Sequence, residues 1–226
     1  MAPGTRSSRN YKLKPMPKDS STGRSRWIPP LLVLISTRPI SPATQGASSN
    51  YTKPWVEPPD HAVGRSRGGL TSKVHQLVDG HGLPLATIVS PGQANDAPAL
   101  IPLVEQIRVP RIGPGRARTR PDELLGDKAY SSRAIRTYLR GRAITTTIAE
   151  PSDQTRHRIN RGDRGGRPPK FNAERYKGRN IVERGFSHLK QWRGIATRYD
   201  KLAATFRAAV LLHGVITWTR HLSDTP

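Results

Sequence analysis

The sequence predicts an α/β fold for residues 57–222, because strand-like and helix-like segments alternate over that part of the chain. The first of these elements is a predicted β-hairpin, in which residues 71–78 and 83–89 flank a turn at 79–82. The last is a predicted helix over residues 202–221, where apolar side chains recur at helical spacing. The predicted architecture is therefore a sheet with helices packed on it.

The elements between these two follow from local patterns. Asn95 and Asp96 precede Ala-Pro, a typical helix start with an Asx cap, and the helical period continues to residue 107. Residues 150–170 are polar and rich in Arg and Gly, so we predict a loop or a disordered insert there. The remaining predicted elements are a strand over 123–127, a helix over 131–140, a β-branched strand over 143–148 and a helix over 180–192.

Residues 1–56 differ in composition from the rest of the chain. Residues 1–60 contain 10 of the 21 Pro and nine Ser but only three acidic residues. Such low-complexity, Pro/Ser/Arg-rich sequence buries too little apolar surface to fold, so we predict disorder for residues 1–56. The exception is the apolar run 31–35, which reads as a buried strand.

The charge of the chain favours a polyanionic partner. Lys and Arg number 38 against 16 Asp and Glu, which gives a formal net charge of +22. Excess positive charge of this size opposes compaction unless an anion neutralises it, and nucleic acid is the first partner to consider.

Two absences in the sequence exclude several classes of function. The chain has no Cys, which excludes disulfides, thiolate catalysis and cysteine-ligated metal sites and is compatible with the cytoplasm. The longest apolar run, residues 27–35, is broken by two Pro residues and is far shorter than the roughly 20 residues that a membrane helix needs. We therefore expect a cytoplasmic protein without a membrane segment.

Acidic residues are scarce, so two of them stand out as candidates for chemistry. Asp127 follows a predicted strand, where a carboxylate can face a ligand at the edge of a sheet, although an exposed loop acid would look the same. Glu183 shares a helix face with Arg179 and Lys190, at spacings of four and seven residues. By spacing alone, Arg179 and Glu183 could equally form a solvated ion pair.

Four ordered motifs carry a resemblance to a known family. They are Gly-Arg-Ser-Arg-Gly-Gly-Leu-Thr-Ser-Lys-Val-His at 64–75, Pro-Gly-Gln-Ala-Asn-Asp at 91–96, Gly-Asp-Lys-Ala-Tyr at 126–130, and the spacing Tyr176-x2-Arg179-x3-Glu183-x6-Lys190. Together they closely resemble insertion-sequence transposases of the DDE class (IS4/IS5-like), over about residues 57–222.

The resemblance implies a fold, a metal site and a DNA interface. It implies a ribonuclease H-like mixed sheet flanked by helices, in which Asp127 and Glu183 are catalytic residues and ligands of two Mg²⁺ ions. Two such ions can activate a nucleophile and stabilise the leaving oxygen in strand transfer. The implied partners are the element ends and target DNA, with a possible homodimer. The residues expected to contact DNA are Tyr176, Arg179, Lys190, Arg193, Arg65, Arg67 and Lys73; for Tyr176, packing is an equal alternative.

One departure from the family pattern bears on activity. These enzymes carry a first Asp on the opening strand, but the corresponding residues 34–39 are Leu-Ile-Ser-Thr-Arg-Pro. The usual helical DNA-binding region is also unrecognisable in residues 1–56, as a frameshifted or truncated reading frame would explain. We therefore expect either a magnesium-dependent DDE transposase, which binds, cleaves and joins DNA, or its inactive remnant, and little or no activity without the first Asp. The alternatives are a noncatalytic basic nucleic-acid-binding protein and a ribosome-associated RNA binder, although the latter leaves the Tyr-Arg-Glu-Lys spacing unexplained.

Weaker candidates have ordinary structural interpretations. We predict that Asp79 is a turn residue, that Asp96 caps a helix and that Asp60 lies in a loop. The Arg-rich residues 161–170 resemble a flexible minor-groove arm or a solvated linker. Trp192 could stack on a base but suits a core position better. The three His residues singled out are expected to be structural or exposed: His75, His81 and His157.

Overall fold

The structure, a computed structural model, describes residues 32–42, 60–66, 69–110 and 114–223. Within β1 it describes side chains for Val33, Pro39 and Ile40. Of the segment predicted to be disordered, residues 1–31 and 43–56 lie outside the described residues. So do residues 57–59, at the start of the predicted domain, and Arg67.

A mixed sheet of seven strands forms the centre of the described chain. Its main path is β2-β3-β1-β5-β6, with β4 paired to β3 and β7 to β1. Strand β1 runs antiparallel to β3 and parallel to β5, and β5 runs parallel to β6. The strands are β1 (Leu32–Pro42), β2 (Gly64–Ser66), β3 (Gly69–Asp79), β4 (Pro84–Pro91), β5 (Glu123–Gly126), β6 (Thr145–Ile148) and β7 (Thr197–Arg198).

Strand β1 is longer than the apolar run that predicts it. The apolar run at 31–35 correctly predicts its first half, but the strand continues through Ser36-Thr37-Arg38 to Pro42. It runs between β3 and β5, so the sheet contains residues that the domain boundary at 57 would exclude. Antiparallel pairing with β3 over residues 33–40 supplies backbone hydrogen bonds that composition alone does not reveal.

The predicted hairpin is confirmed as β3 and β4. Asp79 Oδ1 accepts hydrogen bonds from the backbone N–H groups of His81 and Leu83, each at 2.9 Å. Gly82 has φ +88°, a conformation that glycine adopts without steric cost. Asp79 is therefore the turn residue that the sequence predicts.

Helices account for most of the remaining described residues. They are α1 (Leu100–Glu105), α2 (Arg133–Gly141), α3 (Ser152–Asn160), α4 (Ala173–Lys177), α5 (Asn180–Lys190), α6 (Arg193–Ala196) and α7 (Ala203–Ser223). Short 3₁₀ turns lie at Ala97–Ala99, Lys128–Tyr130 and Gly162–Gly165. None of the helices in the described part of the chain combines the length and apolar character of a membrane span.

Two local predictions are wrong, both for electrostatic reasons. The loop or disordered insert expected over 150–170 contains α3, which has Asp153 in its first turn and His157 and Arg158 in its last, an arrangement that suits the helix dipole. Asp96 does not cap a helix through its side chain. Its carboxylate instead pairs with the Lys73 ammonium at 2.8 Å.

The sheet is covered on both faces. On one face, Leu124 and Val33 pack with α1 and α2 residues that include Leu103 and Leu139. On the other, Leu125 packs with residues of α5, α6 and α7 in the cluster Ile40, Val74, Val78, Leu125, Val182, Phe186, Leu189, Ile195, Phe206 and Val210. Adjacent residues of β5 thus enter opposite cores, as strand geometry requires. The result is the three-layer ribonuclease H-like α/β arrangement that the resemblance implied.

The two glycine-containing motifs occur together because they pack against each other. A Cβ atom at Gly64 would overlap the Gln93 carboxamide, and one at Gly92 would overlap the Thr71 hydroxyl. At Gly92 a Cβ atom would also meet the backbone oxygens of Thr71 (2.8 Å) and Gly64 (3.0 Å), so the two backbones approach too closely there for a side chain.

Arg198 connects the segment before β2 to helix α7. It is 2% exposed and donates to the carbonyl oxygens of His61 (2.5 Å), Asp200 (2.9 Å) and Lys201 (2.8 Å). Its guanidinium also lies 5.1 Å from the centre of the Phe206 ring. The role of Arg198 is structural.

Candidate active site

Asp127 lies at the carboxyl end of β5, beside the central strand of the sheet. Its backbone remains extended, and its Oδ1 accepts a hydrogen bond of 2.7 Å from the Lys128 N–H, which caps the following 3₁₀ turn. The side chain is 44% exposed. The carboxylate is therefore partly accessible to solvent at the edge of the sheet.

Glu183 lies in the first turn of α5 on the border of the apolar face of that helix. Val182, Phe186 and Leu189 are buried against the Leu125 side of the sheet, which fixes the orientation of α5. The Glu183 side chain is 40% exposed. The helix thereby presents this carboxylate on the same side of the sheet as Leu125.

Arg179 joins the two carboxylates. Its Nη2 lies 3.2 Å from Glu183 Oε1, and its Nη1 lies 3.9 Å from Asp127 Oδ2. Asp127 and Glu183 are 56 residues apart in sequence, yet they share one guanidinium. The structure thus brings together both candidate acids and Arg179.

Tyr176 completes the cluster. Its ring centre lies 5.5 Å from the Arg179 guanidinium carbon and 5.1 Å from the centre of the Phe171 ring. Burial raises the pKa of the Tyr176 phenol; the Arg179 charge opposes this, whereas the charge of Asp127 and a hydrogen bond to it act in the same direction. The phenol is therefore a neutral donor beside Asp127 at ordinary pH.

The oxygen ligands of this cluster fit one hard cation better than two. Two carboxylates, completed by water and a phosphate oxygen, suffice for a single Mg²⁺-type ion. Within the described ranges, no group of three or more acidic, His or Cys side chains could hold a metal. A second ion close to the first would lack carboxylates to offset the repulsion between the cations.

The register of β1 shows where a third carboxylate would have to lie. Ile35 pairs with Gly126, so Ser36 is the next residue of β1 at the level where Asp127 follows β5. None of the residues Leu32–Pro42 is acidic. The first Asp that the resemblance leads us to expect on the opening strand therefore has no counterpart among the residues of β1.

The remaining DNA-contact candidates differ in their surroundings. Arg65, Lys190 and Arg193 are exposed, on β2, at the end of α5 and at the start of α6. Lys73 is half-buried, and its ammonium donates to Asp96 (2.8 Å) and to the Ala94 carbonyl (2.7 Å). A structural role suits Lys73 better than contact with DNA.

The weaker candidates largely match their structural interpretations. His75 is buried, with Nε2 2.6 Å from Ser90 Oγ, whereas His81 and His157 are exposed. Burial lowers the pKa of His75 to about 4; Asp96 raises it and Lys73 lowers it further, both by smaller amounts. Trp192 packs against the α5–α7 core, edge-on to His213 with 5.2 Å between ring centres.

The sequence did not reveal a second charged pair, which joins α4 to β5. Arg175 in α4 donates to Glu123 at the start of β5, through Nε at 2.6 Å. The available signal was a shared spacing, since Glu123 and Asp127 are four residues apart and so are Arg175 and Arg179. That signal has meaning only once β5 and α4 are known to be neighbours.

Comparison with known proteins identifies the family. The family described as "Transposase DDE domain" matches residues 43–218. The chain belongs to this family. It is 30% identical over 156 residues to the putative transposase for insertion sequence element IS402 of Burkholderia cepacia, an alignment that covers 69% of this chain and 64% of that protein.

A second relative is shorter. The putative transposase for insertion sequence element IS6501 of Brucella ovis is 27% identical over 151 residues, covering 67% of this chain and all of that protein. The family match spans the described residues Asp127 and Glu183. Members of this family generally depend on divalent metal ions.

Proposed function

We propose that this chain is the DNA-processing domain of an insertion-element transposase whose cation site lacks one carboxylate. Asp127 and Glu183 are its two working acids, and DNA is its partner. The observation that supports the proposal is that the Arg179 guanidinium lies within 4 Å of a carboxylate oxygen of both acids, next to the carboxyl end of β5.

In this proposal each residue has a defined task. Asp127 and Glu183 hold a Mg²⁺ ion, because carboxylate oxygens are the donors that this ion prefers. The ion supplies charge stabilisation at a phosphate of the DNA backbone. Arg179 neutralises the acids when no ion is bound, and Tyr176 holds a proton at its phenol oxygen beside Asp127. Lys190 and Arg193 bind backbone phosphates.

A noncatalytic DNA-binding protein is the second candidate, and the reason to consider it is that β1 contains no acidic residue. Without a carboxylate in Leu32–Pro42, the site has fewer ligands than a pair of ions needs. Losing an essential ligand removes several kcal/mol of transition-state stabilisation, or roughly a thousandfold or more in rate. We therefore expect DNA binding to persist and cleavage to be weak or absent.

The test restores the missing acid. Purified wild-type protein, Ser36→Asp and the adjacent control Thr37→Asp are incubated with supercoiled plasmid and Mg²⁺. Position 36 is four residues from Ile40, which packs in the Leu125 core, so the two positions share a strand face, whereas position 37 is on the opposite face.

We expect Ser36→Asp to increase Mg²⁺-dependent nicking and Thr37→Asp to leave it unchanged. Adding Asp127→Ala to Ser36→Asp should abolish the gain. Robust cleavage by the wild-type chain, lost in both Asp127→Ala and Glu183→Ala, would show that the site is already complete. Equal nicking by Ser36→Asp and by its Asp127→Ala derivative would refute the proposed site.

A further inference from the structure

Two parallel ion pairs connect α4 and its C-terminal end to β5. Glu123 opens the strand and Asp127 follows it, while Arg175 lies in α4 and Arg179 follows that helix. Arg175 pairs with Glu123 and Arg179 pairs with Asp127. Since strand residues four apart share a face, as do helix residues four apart, the two pairs form one charged seam.

The Glu123 end of the seam is the buried end. The Glu123 side chain is 9% exposed, against 44% for Asp127. Thr147 Oγ1 on β6 donates to Glu123 Oε1 at 2.9 Å. Arg175 donates to Oε2 through Nε at 2.6 Å, and its Nη2 lies 2.5 Å from the same oxygen. This carboxylate thus has donors on both oxygens, as a buried charge requires.

Apolar packing contributes little to holding α4 in place. None of the residues of α3, of the 3₁₀ turn at Gly162–Gly165 or of α4 is buried. The helix has five residues, too few to be stable without tertiary contacts. The contact of two Arg175 nitrogens with Glu123 Oε2 is therefore the strongest polar tie between α4 and the sheet among the contacts described here.

The position of α4 in turn determines the position of two site residues. Tyr176 is next to Arg175 in the chain, and Arg179 is one helical turn further on. The Tyr176 phenol bonds Asp127, and the Arg179 guanidinium pairs with the same carboxylate. A shift of α4 would therefore withdraw both groups from Asp127. Glu183 is anchored separately through the buried residues of α5.

We propose that Glu123 is a positioning residue for the acid site, which, through its buried ion pair with Arg175, fixes α4 so that Tyr176 and Arg179 meet Asp127. This role rests on the proposed function of Asp127 and Glu183. Glu123 itself touches neither DNA nor cation. The two acids at the ends of β5 thus have separate tasks. Glu123 holds α4, and Asp127 belongs to the site.

The test measures the position of α4 directly. Because the chain has no Cys, spin labels can be attached at Lys177→Cys on α4 and Arg140→Cys at the end of α2, both exposed. Pulsed electron paramagnetic resonance gives the distance distribution between the labels. The test variants are Glu123→Gln, which keeps an acceptor for Thr147, and Arg175→Ala, which alters a side chain that is 54% exposed.

The matched control is Asp96→Asn, which breaks the half-buried Lys73 ion pair on the β3–β4 side of the sheet. We expect Glu123→Gln and Arg175→Ala to shift and broaden the distance distribution well below their melting temperatures, and Asp96→Asn to leave it as in the wild type. A narrow, unshifted distribution in both test variants would overturn the positioning role. Asp127→Ala should also leave the distance unchanged, so failure of the proposed function and failure of this inference are distinguishable.

Discussion

The segment Ser152–Lys177 and the helix that follows it are held to the sheet by different forces. Helix α5 buries Val182, Phe186 and Leu189 in the α5–α7 core. The preceding helices α3 and α4 bury no residue and are held by polar contacts: Gln154 bonds Ser131, in the segment between β5 and α2, and Arg175 bonds Glu123 on β5.

This difference separates stability from geometry in the candidate site. Burial of apolar side chains is nondirectional and fixes Glu183 by fixing a whole helix. Ion pairs with directed hydrogen bonds fix Tyr176 and Arg179 one contact at a time. The site therefore combines one acid on a firmly packed helix with two groups whose positions depend on buried charge.

The largest expected effect is on the packed side of this comparison. Phe186→Ala should lower the free energy of unfolding by about 3–5 kcal/mol, because it removes a buried aromatic ring and leaves a cavity. Ile159→Ala in α3, where the side chain is 70% exposed, should change it by less than about 0.5 kcal/mol. Urea denaturation measures both. Equal losses would show that α3 is packed more firmly than its exposure indicates.

The buried and exposed histidines should differ in pH dependence. Because the pKa of His75 is lowered to about 4 in the folded state, from 6.5 in the unfolded state, the unfolded chain binds more protons between these values. Stability should therefore fall as pH drops from about 6.5 to about 4. His75→Gln should remove up to about 3 kcal/mol of the change in the free energy of unfolding between pH 6.5 and pH 4. His157→Gln, at an exposed position, should leave this pH dependence unchanged. The same pH dependence in the two variants would contradict the lowered pKa of His75.

Arg175→Ala should lower the free energy of unfolding by about 1–3 kcal/mol, since it leaves the buried Glu123 carboxylate with fewer donors. Lys177→Ala, which breaks an exposed pair with Glu174, should cost less than about 1 kcal/mol. Thermal unfolding of the two variants compares them. If both losses were equally small, the seam would contribute no more than a surface ion pair.

The smallest expected effect concerns DNA. Lys190→Ala should weaken binding to duplex DNA and reduce the slope of log K against log salt by about 1, as loss of one phosphate contact does. Lys73→Ala should leave the slope unchanged, because Asp96 already holds that ammonium. Fluorescence anisotropy across a salt series measures both slopes. A reduced slope for Lys73→Ala would restore Lys73 to the DNA interface.

Periodic apolar patterns made most of the fold predictable. They located the hairpin, β5, β6, α5 and α7 within a few residues, because each element buries apolar side chains in a core. Strand β1 was only half predicted, since Ser36, Thr37 and Arg38 break the apolar run and antiparallel pairing with β3 sustains the strand there. Helix α3 was missed because it has no apolar face and depends on charge placement.

The candidate site was predictable to the extent that spacing and resemblance reveal it. The motif indicated Asp127, Glu183 and Arg179, and the structure brings them together. Glu123 and Arg175 were not found, because their partnership depends on which helix lies beside which strand. Lys73, a predicted DNA contact, also has a partner that the motif did not reveal, because Asp96 from a neighbouring loop binds its ammonium.

The most direct test of the account is whether Asp127 and Glu183 act as one cation site. Mn²⁺ prefers the same oxygen ligands as Mg²⁺, and its binding can be measured by electron paramagnetic resonance for wild type, Asp127→Asn, Glu183→Gln and the double variant. If the two acids share one ion, each single substitution should weaken binding about as much as the double substitution does. Strictly additive losses, or wild-type binding by the double variant, would contradict a shared site.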